Sequence, residues 1–216
     1  MKRLERINYS HEIAEKELKQ YIQLLQDNPE ELKEREHILP FFAKNTHLAS
    51  LFWQYSGIHS RCQPDLYASE LQLGNDYKID YVIGNEEKNH YILIEFENGD
   101  PNGIFKPKKR TNREWSNRLH AAYGQLTDWF QKISDMRSTD EFQNIFHKRD
   151  PKFTGLIVIG YNVNHSSEEK KRLKWRIDRT LIDSNYINII TFDEFSEEAR
   201  DYLNMENIQY TDDTKS

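Results

Sequence analysis

The sequence predicts an α/β fold: a mixed β-sheet core flanked by helices, in the order α–βββ–α–β with additions, and led by an N-terminal helical extension. Three observations predict it. Two short arms rich in Ile, Val, Tyr and Phe, residues 77–83 and 90–98, flank the polar turn 84–89 and read as an antiparallel hairpin. The continuous apolar run Phe153-Thr-Gly-Leu-Ile-Val-Ile-Gly160 has the composition of a strand buried on both faces. Between them Trp115, Leu119, Ala122, Leu126, Trp129 and Ile133 recur at helical spacing, a stripe that must pack on a sheet.

Taken in order, Ser10 caps a helix to about Gln26, with Ile13, Ala14, Leu18, Tyr21, Ile22 and Leu25 at helical spacing. Pro29 opens a second helix that carries Leu32 and Leu39 and stops near Pro40. A third stretch, 45–55, sets Leu48, Leu51, Phe52 and Tyr55 on one side and ends at Gly57. Residues 66–73 form the strand before the hairpin. Residues 98–112 form an exposed loop rich in Gly, Pro and Lys. Thr111 and Glu114 make a capping-box pattern for the long helix. Residues 134–152 read as a polar loop with one helical turn. Ser166 and Glu169 cap a basic helix whose buried line is Leu173, Ile177 and Leu181. Residues 187–192 form the last strand, and Asp193 caps a helix with Phe195, Ala199 and Leu203 inward. The organisation expected is a helical segment 1–58, a sheet-centred domain 59–205 and a polar tail 206–216.

At 216 residues the chain can bury a substantial core, and 11 Phe, 12 Tyr and 4 Trp argue against disorder. Its net charge of −6 counts against a nucleic-acid binder only if the basic residues are scattered. They are clustered. Residues 106–118 hold six basic side chains against Glu114, and 170–179 hold six against Asp178. The single cysteine, Cys62, excludes an intramolecular disulfide and a cysteine-based zinc site, and reads as a small hydrophobe. No secretory signal or membrane-length apolar run is present, so a soluble cytoplasmic protein with no membrane partner is expected.

Alternation along the hairpin puts Ile92, Ile94 and Phe96 on one face and Glu95 and Glu97 on the other. On the first arm Ile79, Tyr81 and Ile83 point one way, and Asp80 and Val82 the other. An acid pair ending an apolar strand repels itself unless something opposes the charge. A hard divalent cation on oxygen ligands would do so, with Asp80 as a third carboxylate. The plainer reading is a pair on the wet face of a half-exposed sheet. The basic run that follows favours a site for a metal and a polyanion. Glu36 and Glu70 are outside candidates, more simply read as solvated surface residues.

Four stretches then resemble the Shedu-type immune nuclease domain: Lys78-Ile-Asp-Tyr-Val-Ile83; Ile92-Leu-Ile-Glu-Phe-Glu97; Ile104-Phe-Lys106 through Ala121-Ala-Tyr-Gly-Gln-Leu-Thr-Asp-Trp129; and Ile189-Ile-Thr-Phe-Asp193. Their order agrees across residues 60–205, and the N-terminal segment resembles the helix that precedes this domain. The large N-terminal regulatory region of many members is expected to be missing. The wider resemblance is to the PD-(D/E)xK nuclease superfamily, in its Glu-x-Glu branch, with Glu97 where most members carry lysine. It implies a restriction-endonuclease-like core and Mg²⁺-dependent hydrolysis of DNA, with Mn²⁺ as a substitute ion, in bacterial defence against phage. It also implies assembly into homo-oligomers.

On this resemblance Asp80 and Glu95 are metal ligands, and Gln125 matches the family's helix glutamine. Glu97 is a base or a further metal ligand. Lys106, Lys108 and Lys109 are candidates for the positive charge that Glu97 removes. With Arg110, Arg113, Arg118, Lys171, Arg172 and Lys174 they would hold flanking phosphates, contacts that position DNA without reading sequence. Two rivals remain from the sequence. One is a catalytically inactive module of the same fold that binds DNA or a partner protein. The other is a carboxylate-pair glycoside hydrolase, which the adjacent basic loop argues against.

Overall fold

The computed structural model describes residues 3–58, 62–107, 113–148, 150–162 and 165–213, with side chains to 205. Among them, seven strands form one mixed sheet. In chain order the elements are β1 (Glu5–Arg6), α1 (His11–Asp27), a π-helical turn (Glu34–Ile38), α2 (Leu39–Lys44), α3 (Thr46–Ala49) and a 3₁₀ segment (Ser50–Ser56). Then come β2 (Leu66–Leu73), β3 (Tyr77–Asn85), β4 (His90–Phe96), α4 (Asn117–Met136), α5 (Asp140–Phe146) and β5 (Lys152–Val158). The chain closes with α6 (Ser167–Ile177), β6 (Leu181–Ile182), β7 (Asn185–Ile190) and α7 (Phe192–Asp213). No helix among the described residues is long and apolar enough to cross a membrane.

The strand order is β1-β2-β3-β4-β5-β7-β6. Strands β1 to β4 pair antiparallel, whereas β4–β5 and β5–β7 pair parallel. The parallel pairs are joined by helical crossovers, as parallel neighbours require. β4 therefore lies in the middle of the sheet, and every residue from His90 to Phe96 is buried. One core packs Val82, Leu93 and Ile157 against α4 and α5 through Leu126, Trp129, Phe130 and Phe146. The opposite core packs Tyr81, Ile92, Ile94 and Phe96 against Tyr21, Phe42, Phe52 and Phe195. The helices of 1–58 thus share a core with the sheet, and the Tyr21 hydroxyl donates to the Phe192 carbonyl at 3.0 Å.

The hairpin, the buried strand and the long helix form as expected. Ser10 caps α1 and accepts from Ile13 N, Gly57 ends the 3₁₀ segment at φ 73°, and Ser166 with Glu169 makes a full capping box on α6.

Other expectations are corrected. Pro40 does not stop a helix; it sits in the first turn of α2, where its missing N–H costs nothing. The long helix is not capped by the Thr111–Glu114 pattern. Thr111 lies outside the described residues, and Glu114 is on an extended segment whose carbonyl accepts from Lys106 N at 2.8 Å. Ser116 is the cap, accepting from Leu119 N, and Trp115 packs outside the helix on Phe105. Residues 134–152 hold the end of α4 and the buried helix α5, capped by Thr139. Leu181 is not on the buried line of α6 but on β6, 53% exposed. The last strand stops at Ile190, and Thr191, not Asp193, accepts from Glu194 N to open α7. Asp193 instead accepts from Asn162 N. Finally, Ile79 joins Val82 in the α4-side core while Tyr81 and Ile83 join the other, so the alternation changes phase across Asp80. Opposite it on β2, Glu70 has φ 53°.

Candidate functional site

The pairing of β3 with β4 runs from Asn85↔His90 to Tyr81↔Ile94 and stops there. The next residues are Asp80 and Glu95. Asp80 Oδ2 accepts from Phe96 N at 3.0 Å, so a side chain takes the place of a ladder carbonyl. The two strands part at this point, and their acids face the opening. Glu95 lies on the α4 side, opposite Ile94 and Phe96, as alternation predicts. From α4, Gln125 Nε2 donates to Glu95 Oε1 at 2.5 Å. The opening is a cleft of about 650 Å³ lined by Asp80, Glu95, Gln125, Glu34, Lys78 and Glu70, among others.

Glu95 is 2% exposed and Asp80 9%. Glu95 Oε2 is buried with no hydrogen-bond partner. A buried carboxylate oxygen without a donor is costly, because desolvation is not repaid. Burial, and then the charge of Asp80, pushes the Glu95 carboxyl far up. Burial pushes Asp80 up to about 6 against the opposing pull of the Phe96 N–H. Burial, and then the charge of Glu34, pushes Glu97 up to about 7, with Arg118 opposing. Glu34 is itself raised by burial, with Arg35 and Lys78 opposing. Two agents relieve such a cluster: a shared proton or a cation.

Among the described residues, no group of three or more His, Cys, Asp or Glu is already gathered to hold a metal ion. Asp80 and Glu95 form a close pair, and Glu97 stands just past the strand, its N–H donating to the Val158 carbonyl at 3.0 Å. A pair still fits Mg²⁺, which keeps several waters and is held by one or two carboxylates with substrate oxygens. The orphaned Glu95 oxygen is the donor such an ion would complete.

The basic residues divide sharply. Lys106 pairs with Glu114 at 3.4 Å and lines a different cleft, with Asp100, Asn102 and Arg118. Arg118 bonds Asp100 and reaches Glu31 at 3.6 Å. Arg113 is 8% exposed and donates to the carbonyls of Lys106 and Phe105 at 2.7 and 2.8 Å. It faces Glu169 at 3.7 Å, and is committed to the interior. Arg172 stacks over Phe105 and Trp115 and donates to the Arg113 carbonyl at 2.8 Å. Lys171 is exposed, as is Lys174, which pairs with Asp178 at 3.6 Å. Lys108, Lys109 and Arg110 lie outside the described residues.

Sequence reasoning missed Glu34, Arg35 and Lys78, which line the cleft beside the acids. Glu36, weighed instead, is exposed and pairs with Lys33. Lys78 left one trace, its place two residues before Asp80 on β3, but the phase change across Asp80 breaks the period-two argument that would link the two. Glu34 and Arg35 left no such signal. The Leu32–Gly99 backbone bridge places their π-helical turn there.

No curated protein matches the chain. A family model described as Shedu protein SduA, C-terminal, matches residues 31–196, well over half of the chain and spanning every residue of the cleft named above.

Proposed function

The chain belongs to the Shedu SduA C-terminal family, and from that premise we propose that it is a metal-dependent DNA nuclease acting in defence against phage. This reading assigns the sheet to the restriction-endonuclease-like group and the Asp80–Glu95–Glu97 constellation to the PD-(D/E)xK superfamily. Family membership supports the defence role. One observation carries the chemistry: Glu95 stands one residue from the end of a strand buried along its whole length, beside Asp80, with an oxygen that no donor among the described residues satisfies.

Asp80 and Glu95 would hold Mg²⁺, or Mn²⁺ in its place. When bound, the ion supplies Lewis-acid activation of water and charge neutralisation at the phosphate. Phe96 N–H fixes Asp80, and Gln125 fixes Glu95, so both carboxylates are oriented before substrate arrives. Glu97, only partly buried and poised near neutrality, is the base. It takes the proton as the water oxygen bonds to phosphorus and the bond to the leaving sugar oxygen breaks. The proton then passes to the leaving oxygen. Lys171 and Lys174 on the exposed side of α6 would hold flanking phosphates.

The test is cleavage of linear and circular DNA by the purified chain in Mg²⁺, Mn²⁺ or EDTA, beside Glu95→Ala. Cutting that needs the ion and is lost in the variant establishes the reading. A silent DNA-binding module is the rival, favoured by Glu97 at the usual lysine position. It is preferred if wild type and variant both bind DNA and neither cuts.

A further inference from the structure

With Glu97 in place of a lysine, the site lacks a motif cation, and Lys106 faces another cleft. Among the described residues, the cations that line the cleft are Lys78 and Arg35. Lys78 stands on β3, and its charge is felt by both Asp80 and Glu34. Its Nζ sits 2.5 Å from Glu70 Oε1, with the lysine side chain 50% and the glutamate 39% exposed. Glu70 and Asp80 are the facing pair that the β2–β3 ladder skips, between Ser69↔Tyr81 and Leu71↔Ile79, and Glu70 lies in the left-handed region that side chains with a Cβ rarely adopt. Gln72 is the direct partner of Lys78 on β2, and Glu70, two residues along, is its diagonal neighbour.

We infer that Lys78 is the side chain that contacts the scissile phosphate, and that Glu70 holds it at the cleft wall until a polyanion arrives. The inference rests on the nuclease reading. An exposed lysine–carboxylate pair is weak and is readily exchanged for another anion. Lysine's long flexible stem with a compact charge suits that exchange. A phosphodiester entering a cleft of carboxylates needs a cation to meet the negative charge that grows on its oxygens. Lys78 stands two residues from Asp80 and lines the same cleft as both acids.

The experiment uses the full chain as wild type, Lys78→Gln, Lys78→Arg and Glu70→Gln. Single-turnover cleavage of a linear duplex in Mg²⁺ is measured beside equilibrium binding of an uncleavable phosphorothioate duplex in Ca²⁺ over a range of salt. Mg²⁺ affinity without DNA is measured by calorimetry. Lys78→Gln should slow cleavage by about 10²–10³-fold, the scale of losing one donor to a transition-state oxygen. It should lower the slope of log affinity against log salt by about one, the signature of one lost phosphate contact. Lys78→Arg should keep the salt slope, and Glu70→Gln, which releases Lys78 from its pair, should tighten binding of the uncleavable duplex. A purely structural role predicts none of this pattern, and unchanged Mg²⁺ affinity in Lys78→Gln excludes damage to the acid pair. Cutting by Lys78→Gln within about threefold of wild type, in a wild type that cuts, overturns the inference alone. A wild type that never cuts overturns the nuclease reading, and the salt slope then still decides whether Lys78 touches phosphate.

Discussion

Replacing Glu95 by glutamine should make the metal-free protein more stable. The carboxyl is moved from an ordinary value of 4.5 up to about 10, chiefly by burial and then by Asp80. A raised carboxyl costs nothing below its unfolded value, where both states carry the proton. The cost grows as pH rises through the interval between the two values, because the unfolded chain gives the proton up and the folded one does not. At pH 8 this amounts to at most about 5 kcal/mol. Asp80 and Glu95 titrate as a pair, and Asp80 retains part of the penalty, so a gain of about 2–3 kcal/mol is expected from the substitution. For a chain of this size that is a rise in Tm of about 6 °C. The amide keeps an acceptor for Gln125 and gains a donor for Asp80 where Oε2 has none. Thermal unfolding in EDTA at pH 8 and pH 4 provides the assay. The difference between variant and wild type should be present at pH 8 and vanish at pH 4. Added Mg²⁺ should raise the Tm of wild type and leave the variant where it was. A variant that is equally or less stable than wild type at pH 8 refutes the claim that the acid pair is a stored cost.

Three further outcomes are expected. Because raised carboxyls must lose protons before they bind an ion, Mg²⁺ affinity should rise between pH 6 and pH 8, and calorimetry in two buffers should detect proton release; a flat profile speaks against the acid pair as ligands. Arg113→Ala should destabilise the fold by about 3 kcal/mol, because it leaves Glu169 and several carbonyls without their partner, whereas Lys171→Ala should leave Tm unchanged and reduce the salt dependence of DNA binding; denaturant melts and binding isotherms separate the two. Ser116→Ala should cost about 1–2 kcal/mol, since the hydroxyl caps α4 and also donates to the Gly103 carbonyl, and an unaltered urea midpoint would refute that double role.

Much of the architecture was legible because it is local. The hairpin advertises itself through β-branched arms around a polar turn, and α6 through its capping box. Asp80, Glu95 and Gln125 were brought together by the motifs that carry them. What the sequence hid depends on neighbours distant in the chain. Arg113 and Arg172 read as free charge, yet both are spent on Phe105, Trp115 and backbone carbonyls. The helix α5 did leave a trace in Phe142, Ile145 and Phe146 at i, i+3 and i+4, obscured by the polar residues around them. The phase change across Asp80 could not be read, because it is a property of two strands adjusting together. Lys78 was overlooked for the same reason.

The contact between Tyr21 on the first helix and Phe195 on the last, with ring centroids 5.7 Å apart, bears on how the molecule comes into being. Contacts so distant in sequence close late and slow the search for the native state. The sheet's second face is covered by helices made before the strands, and α7 completes that cover through Phe192, Phe195, Ala199 and Leu203. The π-helical turn that brings Glu34 to the cleft packs in that same layer through Ile38. The layer that carries the cleft's π-helical turn is thus closed by side chains from both ends of the described chain, and loosening α7 would loosen the cleft wall with it.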